Sequence, residues 1–125
     1  MNYKAKLDKI FSEYIRLRDA DGNGMVRCIS CGKLVHWKKA DAGHFINRRH
    51  MALRFDEKNV NVQCRSCNRF DEGNILGYQR GLIKKYGADI INYLDIKKHN
   101  ICKMDVFEYE TLIEIYSKKE KELKK

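Results

Sequence analysis

Proline is absent from all 125 residues, and no repeat or low-complexity stretch interrupts them. Nothing therefore marks a linker, and residues 1–125 read as a single domain. No apolar run reaches the roughly 18 residues of a membrane span, and no secretory core segment opens the chain. Those absences suit a protein of the reducing cytoplasm with no membrane partner. No motif for a small-molecule cofactor is present, so none is expected. The stretch Asp19-Ala-Asp-Gly-Asn-Gly24 opens like a calcium loop, but its twelfth position is Ser30 where Glu is needed, and no second such loop follows. It reads as a turn rich in Gly and Asn.

What the chain does have is positive charge and paired cysteines. Its 26 Lys and Arg against 17 Asp and Glu give a formal charge of +9. Four zinc-bound thiolates would lower that by about two and leave it cationic. Such a balance points to an anionic polymer, because each neutralised phosphate releases counterions. A merely solvated Lys-rich surface is the alternative. Of the five cysteines, four stand in two pairs, Cys28-Ile-Ser-Cys31 and Cys64-Arg-Ser-Cys67. Each pair closes a tight turn that aims two sulfurs at one tetrahedral centre, so structural zinc is expected, one ion per chain. Two disulfides are the weaker alternative, given an odd cysteine and no mark of secretion. The odd one, Cys102, follows Ile101 and reads as a small buried residue.

Periodicity places the elements. Residues 3–18 form a helix with Leu7, Ile10, Phe11, Tyr14 and Ile15 on one stripe. Met25–Cys28 is a strand into the first cysteine turn, where Gly32 permits positive φ, and Lys33–Trp37 is the strand out. Ala40–Ile46 is a strand carrying His44, and 47–59 is a basic loop anchored by Leu53 and Phe55. Val60–Gln63 leads into the second pair, expected to open a short helix. A helix runs from Ile75 to Tyr86, capped by Gly87. Another spans Ala88–Lys98, burying Ile90, Ile91, Leu94 and Tyr93. Asp105-Val-Phe-Glu108 is a capping box that starts a helix to about Lys121, with Phe107, Tyr109, Leu112, Ile113 and Tyr116 apolar. The tail 118–125 is expected to fray.

Between the cysteine pairs lie Asp41-Ala-Gly-His44 and Asn59, and Asn68 directly follows Cys67. This order resembles the HNH (His-Me finger) nucleases held by a treble-clef zinc, and the Cys-x-x-Cys-Asn ending resembles endonuclease VII-type junction resolvases. Over most of the chain the resemblance is to the lambda NinG (Rap) recombination proteins. It is carried by Asp41–His44, Leu53-Arg-Phe55, Gln63–Asn68, Gly73-Asn74 and residues 78–86. The resemblance implies an α+β fold, a small zinc-stapled ββα-metal (HNH) core at 25–74. An N-terminal helix and turn (1–24) and a helical C-terminal part (75–125) would flank it.

The resemblance further implies that His44 is the general base, that Asn59 fixes the loop and that Asn68 binds a catalytic Mg2+ or Mn2+. Asp41 would join Asn68 only if its strand bulges, since 41 and 44 otherwise face opposite sides. An imidazole titrates near neutral pH, which suits the base role. Two positions depart from the family pattern: Gly43 stands where a second metal ligand often precedes the His, and Asp71 where a Lys often follows. His50 is a substitute base or phosphate contact and His36 a lesser candidate, both ranked below His44; His99 lies outside the motif. Lys38, Lys39, Arg48, Arg49, Arg54 and Arg69 are the expected phosphate contacts. With no base-reading helix, recognition by shape is expected.

The expected function is a metal-dependent endonuclease on branched DNA, such as Holliday junctions or D-loops, in a phage or prophage setting. The alternative is a non-catalytic zinc module that binds nucleic acid or a recombination partner. Resolving a junction takes two opposed cuts, so a twofold dimer is expected if junctions are the substrate. The apolar face of the 105–121 helix would serve either that dimer or the core.

Overall fold

A computed structural model describes residues 1–125. Five α-helices and four short strands make a small mixed domain, the strands pairing into two separate two-stranded antiparallel sheets. Helix α1 spans Tyr3–Arg18, as its apolar stripe predicts, and the Asn2 side chain caps it by accepting the Ala5 N–H at 3.0 Å. The Asp21 carboxylate then accepts the N–H groups of Asn23 and Met25, closing a turn into β1 (Met25–Arg27). Strand β2 (Leu34–His36) pairs back on β1, with Gly32 between them at φ +79°.

A 3₁₀ turn at Trp37–Lys39 leads to β3 (Ala40–His44). Its partner β4 (Val60–Cys64) runs in unbroken register from Ala40 opposite Cys64 to His44 opposite Val60. The loop between them holds one turn of helix, α2 (Met51–Arg54). Helices α3 (Ile75–Tyr86), α4 (Ile90–Lys97) and α5 (Val106–Leu123) follow.

Two apolar cores hold these elements. In one, α1 presents Leu7, Phe11, Tyr14 and Ile15 to Val60 and Val62 of β4 and to Tyr116 of α5. The Phe11 ring meets Phe55 and Tyr116 edge-on, with centroids 5.7 and 4.9 Å apart. Each fully buried side chain of this size contributes about 1.5–3 kcal/mol. In the other, α2, α3 and α4 bury Leu53, Tyr78, Leu82, Ile90 and Leu94. The Tyr78 hydroxyl donates to the Gly43 carbonyl at 2.6 Å and so ties α3 to β3.

Several elements differ from their sequence-based expectation. The second cysteine pair does open the short helix expected of it, in π-helical form at Ser66–Phe70; the departures lie elsewhere. Helix α4 begins at Ile90 and leaves Tyr93 exposed, its hydroxyl bonded to Asp56. Cys102 is only half-buried, beside a fully solvated Ile101. Helix α5 does not fray at Lys118 but continues to Leu123, because Lys124 reaches Glu13 of α1 at 2.7 Å and Glu120 at 2.9 Å. Its apolar face packs on α1 through Tyr109, Leu112, Ile113 and Tyr116, while Phe107 points to solvent.

One close approach was invisible in the sequence. On α3, Gly77 and Gly81 face the first cysteine loop, and a Cβ there would lie 2.3 Å from the Ser30 carbonyl oxygen and 2.0 Å from that of Ile29. Gly81→Ala would gain about 1 kcal/mol of helix propensity. It would lose more by forcing backbone away from backbone, since overpacking costs about 1–3 kcal/mol where side chains can still adjust. The variant is expected to melt several degrees lower; a thermal scan showing an unchanged or higher Tm would contradict this packing.

Candidate metal centre and catalytic groove

Cys28 follows β1, Cys31 lies in the turn after it, Cys64 ends β4 and Cys67 sits in the π turn. The first turn is tied to β4 by the Ile29 N–H donating to the Val62 carbonyl at 2.9 Å. All four sulfurs lie within 4.8 Å of one another. Cys31 and Cys64 are 3.8 Å apart, too far for a disulfide of ~2.05 Å. The distance matches the ~3.8 Å edge of a tetrahedron with Zn–S bonds of ~2.3 Å. The Cys67 N–H and the Asn74 amide donate to the sulfurs of Cys64 and Cys67, both at 3.4 Å, an outer set of bonds that orients them. Burial pushes the Cys67 thiol up to about 12 and raises Cys31 as well. At Cys28 burial is outweighed by the hydrogen-bond donors around it, which lower it; four sulfur donors at this spacing fit zinc. Cys102 lies outside the cluster.

His44 ends β3 beside a second feature, a groove of about 390 Å³ that it lines with Asp8, Ala42, Arg48 and Asn68. Its Nε2 lies 3.0 Å from the Arg54 carbonyl. A carbonyl only accepts, so Nε2 carries the proton and Nδ1 is the basic nitrogen. Burial holds the imidazole below its usual value, against the Arg54 bond that favours the charged form. His44 is therefore neutral at neutral pH.

The loop that supplies this carbonyl is closed by Asn59, which is fully buried. Its Oδ1 accepts the Ile46 N–H at 2.9 Å, and its Nδ2 donates to the carbonyls of Ile46 and Leu53 at 3.0 and 3.2 Å. Arg54 itself is not free to meet phosphate, contrary to the sequence-based expectation. Its guanidinium donates to both oxygens of Asp8 and to the Arg48 carbonyl, and its side chain is 11% exposed. The pair pins the loop to α1.

Asp41 also differs from expectation. Strand β3 has no bulge, and the Asp41 carboxylate takes two bonds from Arg69, each 2.8 Å, and one of 3.0 Å from Asn68 Nδ2. Burial opposes its ionisation, but these donors outweigh it and hold the carboxyl below the usual range. Asp41 thereby fixes which way the Asn68 amide points, and Asn68 Oδ1 has no partner within the chain. Gly43 is required by packing: a Cβ there would fall 1.8 Å from the Gln63 amide oxygen. The buried Gln63 side chain donates to Ser30 Oγ and the Gly73 carbonyl, so no ligand fits at position 43.

Asn68 also borders a neighbouring cationic groove lined by Arg16, Lys38, Arg65, Asp41 and Arg69. Arg16 and Arg65 are additions that no local pattern signals; only the approach of α1 and the π turn to β3 brings them there. Lys39 and Arg49 are exposed outside both grooves, and Arg48 lines the one with His44. Neither His36, whose Nδ1 accepts the Lys38 N–H, nor His50 lines a groove with His44.

The whole chain, residues 1–125, matches the family model described as Bacteriophage Lambda NinG protein. It is 35% identical over 114 residues to Protein ninG of Escherichia phage 933W, covering 89% of this chain and 53% of the relative. With Protein ninG of Escherichia phage lambda it shares 33% identity over 114 residues, 89% of this chain and 52% of the relative. Protein ninG of Salmonella phage P22 is 37% identical over 106 residues, 78% of this chain and 49% of the relative. The chain thus spans about half the length of these curated relatives. No solved structure matches it. No helix is long and apolar enough to cross a membrane.

Proposed function

The chain belongs to the bacteriophage lambda NinG family, and from that premise we propose that it is a metal-dependent DNA endonuclease of HNH type acting on branched recombination intermediates. The observation that carries this reading is the neutral His44, its Nε2 anchored on a backbone carbonyl, in one groove with the unpartnered Asn68 Oδ1. On this reading β3, β4 and the π turn are the ββα-metal unit, stapled by zinc on the four sulfurs in treble-clef fashion.

His44 Nδ1 takes the proton from the attacking water, and the Arg54 carbonyl steadies the imidazolium that forms. Asn59 keeps that carbonyl in place. Asn68 Oδ1, which has no partner in the chain, would be the amide oxygen offered to Mg2+ or Mn2+, hard cations that prefer oxygen donors. A hard dication there supplies charge stabilisation at the phosphate and leaving oxygen. Asp41 orients Asn68 and is not itself a ligand. Arg48, Arg69, Lys38, Arg65 and Arg16 guide the backbone, with Lys39 and Arg49 at the periphery. A twofold dimer on junctions would use a surface other than the α5 face, which the core occupies.

The test is incubation of purified protein with four-way junction, duplex and single-stranded DNA, with and without magnesium or manganese. Junction cleavage that requires the metal is expected. A second reading, a binding module without cleavage, draws on the same donor count: one free amide oxygen is a sparse metal site. Junction binding with no cut in either metal would establish it. The division of the basic residues gives a further expectation. Arg48→Ala should lower the salt slope of DNA binding by about 1. Arg54→Ala should leave the slope alone yet lower stability by about 1–3 kcal/mol, because Asp8 loses its partner. A changed slope with unchanged melting for Arg54→Ala would return it to the phosphate contacts.

A further inference from the structure

A further cavity lies away from His44, between the first cysteine loop and α3. It has a volume of about 820 Å³ and shares no lining residue with either groove around Asn68. Four basic side chains line it against two acidic ones. Of the acids, Asp19 is paired with Arg18 and Lys85 at 2.9 and 2.8 Å, and Asp21 accepts the N–H groups of its own turn. Arg27, Arg80 and Lys84 form no ion pair, and Arg27 is held in position by donating to the Gly32 carbonyl at 3.1 Å.

These three cations come from two elements that cannot slide. Gly77 and Gly81 seat α3 directly on the Ser30 and Ile29 carbonyls, and those residues lie within the Cys28–Cys31 turn. Arg80 and Lys84 stand one turn apart on the exposed side of α3, facing across the cleft to Arg27 on β1. The floor is apolar and polar backbone, with Ile29, Val62, Gly81 and Ser30, and carries no aromatic platform. A broad, preorganised cleft with unpaired cations at its rim and no base-stacking surface suits a sugar–phosphate backbone more than a base or a small anion.

We propose that this cleft is a second DNA-backbone site, taking a DNA segment other than the one that passes His44. The zinc centre then has two outlets: Cys64 and Cys67 lead to Asn68 at the cleavage groove, and Cys28 and Cys31 lead to the second cleft. A DNA with two arms leaving one point can occupy both, whereas a short duplex fills one. The inference rests on the reading of the protein as a DNA-acting enzyme but not on cleavage.

The experiment compares wild type with Arg80→Ala/Lys84→Ala, positions whose exposure on a helix leaves the fold intact, as melting and zinc content would verify. Binding is read by fluorescence anisotropy without magnesium or manganese, on a four-way junction and on a short duplex of the same arm sequence. The double variant should bind the junction about 10-fold more weakly, with a salt slope lower by about 2, and the duplex within about 3-fold of wild type. Lys84→Glu should exaggerate the same difference. Unchanged junction affinity would overturn the proposal, and so would an equal loss on both DNAs, which would make the cleft a general contact and not a second site. Absence of cleavage by the wild type would refute the nuclease reading and leave this binding result standing.

Discussion

His44→Ala protein is expected to bind DNA as the wild type does and to cleave it about 10²–10⁴-fold more slowly, the contribution of a positioned general base. The substitution removes one hydrogen bond, to the Arg54 carbonyl, worth about 1 kcal/mol. The loop itself is held by three bonds of Asn59 and by the Asp8–Arg54 pair, so the fold should survive. Melting, zinc content and DNA affinity near wild type would separate lost chemistry from lost structure.

The wild-type pH profile carries the same prediction in another form. Burial lowers the His44 value, so the neutral imidazole persists to more acid pH than in a free side chain. Cleavage should rise with pH to a midpoint below the usual ~6.5 and stay flat above neutrality. The stability linkage has the matching sign: His44 contributes stability above the unfolded value, and this is lost as pH falls through the folded one. Full cleavage by His44→Ala, or a midpoint well above 7, would end the assignment of His44 as base.

Removing zinc should have the largest effect on folding. Only 24 of 125 residues are buried, so the apolar cores leave little margin without the staple. Structural zinc in small domains supplies about 10–16 kcal/mol, as much as the ~5–15 kcal/mol that keeps an ordinary domain folded. The four sulfurs also join β1 to β4 and the π turn, on which Asn68 sits. Chelation, or Cys28→Ser or Cys67→Ser, should abolish cooperative melting and reduce helicity, with one zinc per chain in the intact protein. Proton release on zinc binding should be measurable, since Cys67 would otherwise stay protonated well above neutral pH. Identical circular dichroism and melting with and without zinc would refute the staple.

Helix α1 and the two cysteine turns were legible from the chain alone, because their signals are local. An apolar stripe repeats within one helical turn, and a Cys-x-x-Cys pair needs only its own backbone to aim two sulfurs. The same holds for Asp105 as a cap, which accepts an N–H three residues on. The partners of the charges around the site were not legible. Arg54 reads as a phosphate contact beside Arg48 and Arg49 until α1 brings Asp8 against it across 46 residues of chain. Asp41 reads as a metal ligand until the π turn sets Arg69 and Asn68 upon it. Gly81 reads as a weak spot in a helix until the Ile29 carbonyl arrives where its side chain would be. The amino-acid order by itself determined where the turns, the caps and the paired cysteines lie, since each is decided by atoms a few residues apart. Which charges are neutralised and which stay unpaired was decided only by the tertiary structure, because an ion pair depends on distance in space and that distance is set by the packing of helices on the sheet.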